Sequence, residues 1–321
     1  LKPVFVDIEK DSLNINADQI EKKITSKTKA VMCLHILGTC GNFSQILKIV
    51  KKYNLILIED TCESLGATYK KKFLGTFGEF GTYSFYYSHQ ITSGEGGMIV
   101  CNDEKNYNIL RSLRSHGWSR GNKFHKKNIK KNININSKFL FINSGYNLRP
   151  TDIQASMAFN QFKKLKKFME MRKNNRNKII NNLVRSKNWK NQFQFIHAKQ
   201  NLKPSWFGLP IILNKKYATI KDDYLNFLEN KGIETRPILT GNFLDQPAAQ
   251  LFKLNKNINK SNFENTNDKT KRGFFIGIHV KKISIKILNL LTNNILKIDE
   301  IYKRKKNRNN RVNRNFRVNN I

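Results

Sequence analysis

Four side chains able to carry acid–base or anion-binding chemistry fall close together in the first third of the chain. Asp60 ends the apolar run Leu55-Ile56-Leu57-Ile58-Glu59-Asp60, and Glu63 follows one helical turn later. Ser84 and His89 lie within residues 75 to 97, GTFGEFGTYSFYYSHQITSGEGG, which lead into a second apolar run, Met98-Ile99-Val100. An imidazole titrates near neutrality and moves protons in either direction. A lone histidine is more often structural or superficial; one held between two strands in a Gly/Ser-rich loop is placed for chemistry.

The elements that must position these groups follow from local pattern. Val4 to Val6 is a short β-branched and aromatic run, and Asp18 to Lys23 has the acidic start and basic end of a helix. Ala30 to His35 reads as a buried strand. Phe43 to Tyr53 sets Phe43, Ile46, Leu47, Ile49 and Val50 mostly on one helical face, and the strand Leu55 to Ile58 follows directly. Alternating strand and helix predicts an α/β fold with a parallel sheet flanked by helices, whose ligand groups gather at the carboxyl ends of strands. Thr82 to Tyr87 continues as a strand, and Glu104 to His116 as a helix. Residues 118 to 140 are polar and weakly patterned, as in a flexible insertion, and a long helix capped by Thr151 or Asp152 runs to about Asn182. Beyond Ser186 come a strand, Trp206 to Leu213, a helix, Ile220 to Lys231, and the run Ile233 to Leu239. The expected division is a large domain over 1–185, a small α+β domain over 186–302, and a basic disordered tail over 303–321.

The composition bounds the partners. Among 321 residues, 59 are Lys or Arg and 23 are Asp or Glu, a net charge of +36 that suggests a polyanion binder. The cations, however, are spread along the chain and mixed with Asn and Ile, as in Lys126-Lys127-Asn128-Ile129-Lys130-Lys131-Asn132. These residues share A/T-rich codons, so coding bias accounts for the charge, and neither nucleic acid nor membrane is expected as a partner. Cys33, Cys40, Cys62 and Cys101 have no metal-ligand spacing, so no metal is expected. No run reaches the roughly 18 apolar residues of a membrane helix, and a soluble cytoplasmic protein with reduced thiols is the expectation. The chain opens as though inside a strand, without an initiator Met, and reads as lacking a front section.

Taken together, Leu57-Ile58-Glu59-Asp60, Gly75-Thr76-Phe77-Gly78, Ser84-Phe85, Gly94-Glu95-Gly96-Gly97-Met98 and Gly145-Tyr146-Asn147-Leu148-Arg149-Pro150-Thr151-Asp152 carry a resemblance. The chain resembles the DegT/DnrJ/EryC1/StrS sugar aminotransferase family of pyridoxal-phosphate proteins to about residue 300. The resemblance implies the aspartate aminotransferase fold (fold type I), with a mainly parallel sheet in the large domain. It also implies pyridoxal 5'-phosphate and pyridoxamine 5'-phosphate as cofactor forms, and a homodimer with shared active sites. The family has a further section before the position of Leu1, with a phosphate-binding turn and an aromatic that stacks on the cofactor.

The family's lysine, which links covalently to the cofactor, belongs between Ser84-Phe85 and Gly94-Glu95-Gly96-Gly97, and here His89 stands there. An imidazole cannot make that link. This exchange resembles the sugar 3-dehydratases of the family, which remove a hydroxyl instead of installing an amine. One type carries an iron–sulfur cluster; Ser115-His116-Gly117-Trp118-Ser119-Arg120 stands where its cysteines would be, which favours the GDP-sugar type. The implied substrates are a nucleotide-linked 4-keto-6-deoxyhexose and L-glutamate, with His89 as the acid and base. Asp60 would face the pyridine nitrogen, Glu63 would cap Asp60 or line the pocket, and Ser84 and Asn147, the latter across the dimer, would hold the phosphate. Each has an ordinary alternative: a turn acid, a helix-start acid, a solvent-facing strand serine, a turn asparagine. Arg149 and Arg236 suit a diphosphate or carboxylate, or are solvated cations. His116 and Trp118 line the sugar pocket or pack as a core pair. Two rival functions remain: a sugar-nucleotide aminotransferase, and a degenerate basic remnant.

Overall fold

In the computed structural model, which describes residues 1–254 and 258–318, Glu59 and Asp60 are neighbours in sequence that face opposite sides of a sheet. That sheet is built from β1 (Ala30–Leu34), β2 (Ile56–Asp60), β5 (Phe80–Ser84) and β6 (Gly97–Val100), in that spatial order. β1, β2 and β5 run parallel and β6 antiparallel, so the sheet is mainly parallel, as expected. Side chains alternate along a strand. Val31, Cys33, Leu57, Glu59, Gly81 and Tyr83 therefore point into the core, and Asp60, Thr82 and Ser84 point the other way.

The core side is covered by two short helices, α1 (Ala17–Lys23) and α2 (Phe43–Lys52). Asn16 caps the first by accepting from the Asp18 and Gln19 amides, and Asn42 caps the second by accepting from Gln45. Ala17 and Ile20 from one, and Phe43, Ile46 and Ile49 from the other, pack on Val31, Cys33 and Leu57. On the opposite side Met32, Leu34, Ile56 and Ile99 remain exposed, so among the described residues helices cover one face and not the two expected of a parallel sheet.

Two two-residue strands, β3 (Thr68–Tyr69) and β4 (Lys72–Phe73), form a small antiparallel sheet with β8 (Leu202–Lys203), which ties residues after 200 back to the first core. Val4 to Val6 is not a strand; only the isolated bridge Ile8 to Ile15 forms near the start. The helix α3 (Glu104–Arg114) matches its expected span. Residues 118 to 140 are not a loose insertion. They contain the helix α4 (His125–Lys131), bury Ser119, Asn122 and Leu140, and are pinned by Asn122 Nδ2 to the Asn108 carbonyl at 3.2 Å. Buried polar side chains supply the order that the apolar pattern did not show.

The expected single helix after Thr151 is two, α5 (Asp152–Phe162) and α6 (Leu165–Arg185), separated at Lys163 and Lys164. Thr151 and Gln154 form a capping box at its start. Ile179 and Leu183 of α6 pack in the second core. The second unit is a four-stranded antiparallel sheet of β7 (Phe193–Phe195), β9 (Gly208–Leu213), β10 (Thr235–Arg236) and β11 (Gly273–Gly277), in the order β10-β11-β9-β7. The helices α7 (Lys221–Glu229), α8 (Pro247–Leu251), α9 (Glu264–Arg272), α10 (Ile285–Ile295) and α11 (Ile298–Val318) surround it. Over the segment expected to be a disordered tail from residue 303, α11 runs to Val318, and residues 319–321 lie outside the described residues. Ile301 and Tyr302 anchor its first turns on the core, and Lys305 reaches Asp223 at 2.5 Å, so the helix propagates from a packed base.

Candidate functional site

His89 sits in the connection between β5 and β6. Its neck is closed by the Phe85 amide donating to the Gly96 carbonyl at 2.9 Å, and the His89 amide donates to Tyr86 O at 3.0 Å. Gly94 has a φ of +80°, which favours glycine there. Gln90 is buried and its Nε2 donates to the carbonyls of Glu63 and Ser205, which fixes the loop both to the turn after Asp60 and to the second unit. The His89 ring meets Phe207 edge-on, centroids 5.4 Å apart, and Tyr86 at 5.9 Å.

The structure brings Asp60, Glu63, Ser84 and His89 into one region. Asp60 and Ser84 lie on the same face of adjacent strands at their carboxyl ends, Asp60 pairing in register with Thr82. Burial holds the His89 imidazole below its ordinary value; the Ser84 backbone and the Asp60 charge pull it partly back up, and the Arg172 cation pushes it down. His89 Nδ1 is buried and has no hydrogen-bond partner among the described residues. A neutral imidazole with a free nitrogen can take a proton.

Glu63 does not cap Asp60; its Oε2 accepts the Leu37 amide at 2.8 Å, where Leu37 holds a left-handed backbone at φ +51°. Burial pushes the Glu63 carboxyl up to about 7, the Leu37 amide opposes this, and the Asp60 charge adds to it. A carboxyl raised above its unfolded value stabilises the fold fully below that value and loses this contribution as pH rises through the folded one. Between pH 4.5 and about 7 wild-type protein therefore loses stability through Glu63, on the order of 1–3 kcal/mol. Glu63→Gln keeps an acceptor for Leu37 and removes that slope, as checked by urea unfolding at pH 5 and pH 8.

Behind the site, Glu59 is fully buried. Its carboxylate accepts from His35 Nε2 at 3.0 Å and from the amides of Gly75 at 2.7 Å, Phe77 at 2.7 Å and Gly78 at 2.8 Å. His35 in turn donates its backbone amide to the Asp60 carbonyl at 2.9 Å. This network fixes the strand end from which Asp60 projects.

The other candidates form a second group. Asn147 bridges to Ser115, the His116 amide donates to Tyr146 O at 2.7 Å, and His116 lies edge-on to Trp118 at 6.3 Å. Trp118 stacks on Phe141 at 5.9 Å, with the Arg149 guanidinium 6.0 Å from its ring. His116 is exposed, whereas Trp118 is half-buried and its Nε1 is enclosed with no partner among the described residues. Among the described residues, no hydrogen bond, ion pair or ring contact joins this group to the His89 group. Arg236 is exposed, pairs with Glu234 at 2.5 Å, and its charge acts on Tyr86 at the rim of the His89 site.

Sequence reasoning passed over Arg172, Gln90 and Ser205. All three hold buried polar atoms near His89 without partners among the described residues: Arg172 Nε, Gln90 Oε1 and Ser205 Oγ. Buried polar groups are normally satisfied, and a cluster of unsatisfied ones marks space for a ligand. A signal was present for Arg172: it falls on the heptad-spaced stripe Leu165, Arg172, Arg176, Ile179, Leu183 of α6. No group of three metal-ligating side chains occurs among the described residues, and no helix there is long and apolar enough to cross a membrane.

Comparison with known proteins gives the same picture. The chain is 36% identical over 284 residues to the GDP-4-keto-6-deoxy-D-mannose 3-dehydratase of Escherichia coli O55:H7, covering 87% of this chain and 70% of that protein. It superposes on the E. coli enzyme of that name with bound hydrated PLP at a TM-score of 0.77 and 32% identity, covering 90% of this chain and 73% of that one. A GDP-4-keto-6-deoxymannose 3-dehydratase with a trapped PLP–glutamate geminal diamine gives the same TM-score, identity and coverage. Residues 1–284 match the family description throughout. The fold is that of the PLP-dependent aminotransferases, and the chain belongs to the DegT/DnrJ/EryC1/StrS aminotransferase family.

Proposed function

We propose that this chain is a PLP-dependent sugar 3-dehydratase. It removes the C3 hydroxyl of a nucleotide-linked 4-keto-6-deoxyhexose, GDP-4-keto-6-deoxy-D-mannose before others, with L-glutamate as amino donor, as in dideoxysugar and O-antigen formation. The observation that carries this reading is His89 beside Asp60 and Ser84, in a connection of residues 85–96 that contains no lysine. The four-residue arrangement and the unsatisfied polar atoms around it fit pyridoxal phosphate.

When bound, pyridoxal phosphate supplies an electron sink for the carbon attached to its nitrogen. Asp60 would face the ring nitrogen and keep it protonated. Ser84 would donate its hydroxyl to the phosphate. His89, neutral because burial and Arg172 disfavour its charged form, would take a proton from the reacting carbon; now charged, it would deliver that proton to the departing C3 hydroxyl. Phe207 and Tyr86 pack edge-on against its ring. The net conversion is sugar plus glutamate to 4-keto-3,6-dideoxy sugar, 2-oxoglutarate and ammonia.

A homodimer with shared sites accounts for the second group. Asn147, Arg149 and His116 are exposed and Trp118 is half-buried, and the same stretch of chain leaves Phe141, Tyr146, Leu148, Ile153 and Phe159 exposed, apolar surface suited to a second copy. From there Asn147 would reach the phosphate held by the neighbouring subunit, and Arg149 and Arg236 would flank the substrate diphosphate. The four cysteines are free, in keeping with a cytoplasmic enzyme.

Incubating the protein with PLP, glutamate and GDP-4-keto-6-deoxy-D-mannose should yield ammonia and 2-oxoglutarate in equal amounts, with a deoxygenated sugar. An amino sugar as product would replace this reading with amino transfer. Absence of a bound chromophore together with salt-sensitive DNA binding would replace it with a polyanion-binding remnant.

A further inference from the structure

The helix α9 begins without a cap of its own. Phe263 stands at its N-cap position and has no side-chain acceptor, so the first amides of the helix need one from elsewhere. Asp7 supplies it from 258 residues away in the chain. Its Oδ2 accepts the Asn265 amide at 2.8 Å, and its Oδ1 accepts the Thr266 amide at 2.8 Å and the Thr266 hydroxyl at 2.6 Å. The Asn265 side chain donates in return to the Ile8 carbonyl at 3.0 Å. Asp7 is 1% exposed, so water does not stand in for these bonds if they are lost. A carboxylate on the second and third amides does what a local cap does and meets the positive end of the helix. Here it also ties the second unit to the first.

The segment that carries Asp7 is itself fastened to the first unit. Asp7 donates its amide to Gln19 of α1 at 2.8 Å, and the chain doubles back, with the Glu9 amide on the Asn14 carbonyl at 2.9 Å. Asn14 is buried; it accepts the Ile36 amide at 3.0 Å and donates to Thr39 Oγ1 at 2.9 Å, which holds the turn 36–39 at both ends. That turn receives the second unit. The Gly38 carbonyl takes the Ser205 amide at 3.0 Å and the Leu37 carbonyl takes the Phe207 amide at 3.2 Å. Gly38, at φ +87°, leaves no room for a Cβ against the Ser205 carbonyl. Leu13 fills the seam together with Leu37, Ile212 and Phe275. Elsewhere on the seam, Met169 Sδ of α6 lies 2.5 Å from where a Cβ of Gly66 would stand, so α6 is laid directly on the turn after Glu63.

Both fastenings end on one aromatic ring. α9 leads directly into β11, whose Phe275 lies 6.1 Å from Phe207, and Phe207 meets the His89 ring at 5.4 Å. Gln90, next to His89 in the chain, holds the Ser205 carbonyl at 3.3 Å. We propose that Asp7 is a positioning residue for the His89 site: by capping α9 it clasps the second unit on the first and seats Phe207 against the imidazole. Its effect on turnover rests on the dehydratase reading; the clasp itself rests on the hydrogen bonds. Lys199 crosses the same seam to Asp11 at 2.9 Å and Glu9 at 3.4 Å, but it is partly exposed, and ion pairs open to water hold little.

The test uses Asp7→Asn and Thr266→Val in the full chain. Asp7→Asn keeps the shape and turns an amide group toward a donor. Hydrogen exchange of the Ser205 and Phe207 amides, which cross the seam, should quicken roughly 10- to 100-fold, while the amides of β1 and β2 keep their wild-type rates. In the PLP-loaded protein, kcat for dehydration should fall roughly 10-fold with PLP affinity unchanged, because Asp60 and Ser84 lie in the first unit. Thr266→Val removes one donor to Asp7 and should give the same changes to a smaller degree, and it carries the test if Asp7→Asn does not fold. Unchanged exchange at Ser205 and Phe207 overturns the clasp. Exchange that quickens equally in β1 and β2 also overturns it, as a general loss of stability. Faster exchange at the seam with wild-type kcat overturns the positioning role. A wild-type protein that does not dehydrate the sugar overturns the functional reading and the effect on kcat, while the exchange still decides the clasp.

Discussion

Replacing His89 with asparagine lowers the dehydration rate about 10²- to 10⁴-fold, the range expected for loss of one general acid–base group. Cofactor binding survives, because Asp60 and Ser84 are untouched and asparagine fills much of the imidazole's place beside Phe207. The pH profile identifies the group: wild-type kcat/KM rises through a midpoint below the ordinary histidine value, since burial holds the imidazole neutral, and the variant lacks that limb. His89→Lys makes the sharper comparison. An amine at the same point can link to the cofactor and accept the role of the family's lysine, so the variant gains amino transfer and loses dehydration. Product analysis by mass spectrometry decides between an amino sugar and a deoxy sugar; a lysine variant that dehydrates like wild type would remove His89 from the mechanism.

The largest stability effect is expected at Glu59. Glu59→Ala leaves the His35 ring N–H and the amides of Gly75, Phe77 and Gly78 without an acceptor in the dry interior, at a cost of about 3–5 kcal/mol. For a chain of 321 residues that is a fall in Tm of roughly 4–8 °C, measured by calorimetry. Glu59→Gln is nearly as damaging, since its amide group turns two donors toward donors. The acid limb of stability carries the same signature. Burial opposes ionisation of Glu59, but His35 and the Gly75 and Gly78 amides outweigh it and hold the carboxyl below its ordinary value. A depressed carboxyl contributes stability above the unfolded value and loses it as pH falls through the folded one. Wild type should therefore lose more stability below about pH 4.5 than Glu59→Gln does; parallel acid limbs would show that the network contributes through shape alone.

Much of the site was legible because strands write their orientation into sequence. Asp60 ends an apolar run, and a ligand-facing carboxylate is expected at that end. Which of Glu59 and Asp60 faces the ligand is a matter of period two, and the register with β5 settles it: Glu59 pairs with the core position Gly81, Asp60 with Thr82 on the other face. Helix spans were legible where an Asn, Asp or Thr cap preceded an apolar stripe, as at Asn42, Asp103 and Thr151. They were not legible at Lys163 and Lys164, where neither Gly nor Pro marks the break. The polar stretch 118–140 looked loose because hydrogen bonds of Asn122 and Ser119 order it, and such bonds leave no hydrophobic period. The basic terminal segment was expected to be disordered from its composition, while Ile301 and Tyr302, at the base of α11, pack on the second core.

By itself, the sequence determined the alternation of strands and helices, the strand end that bears Asp60, and a histidine in a connection without lysine. Those are local properties, set by side-chain type and spacing. Only the tertiary structure decided the company His89 keeps. Arg172 lies 83 residues beyond it and Phe207 lies 118 beyond it; they meet it because α6 packs on the Gly66 turn and the second unit folds back through β8. Only the fold, too, set Asn147, Arg149, His116 and Trp118 apart from the His89 group. The physical reason is that desolvation and charge, which tune an imidazole, depend on distance in space, and a stripe along one helix shows which of its cations faces inward without showing what that cation meets.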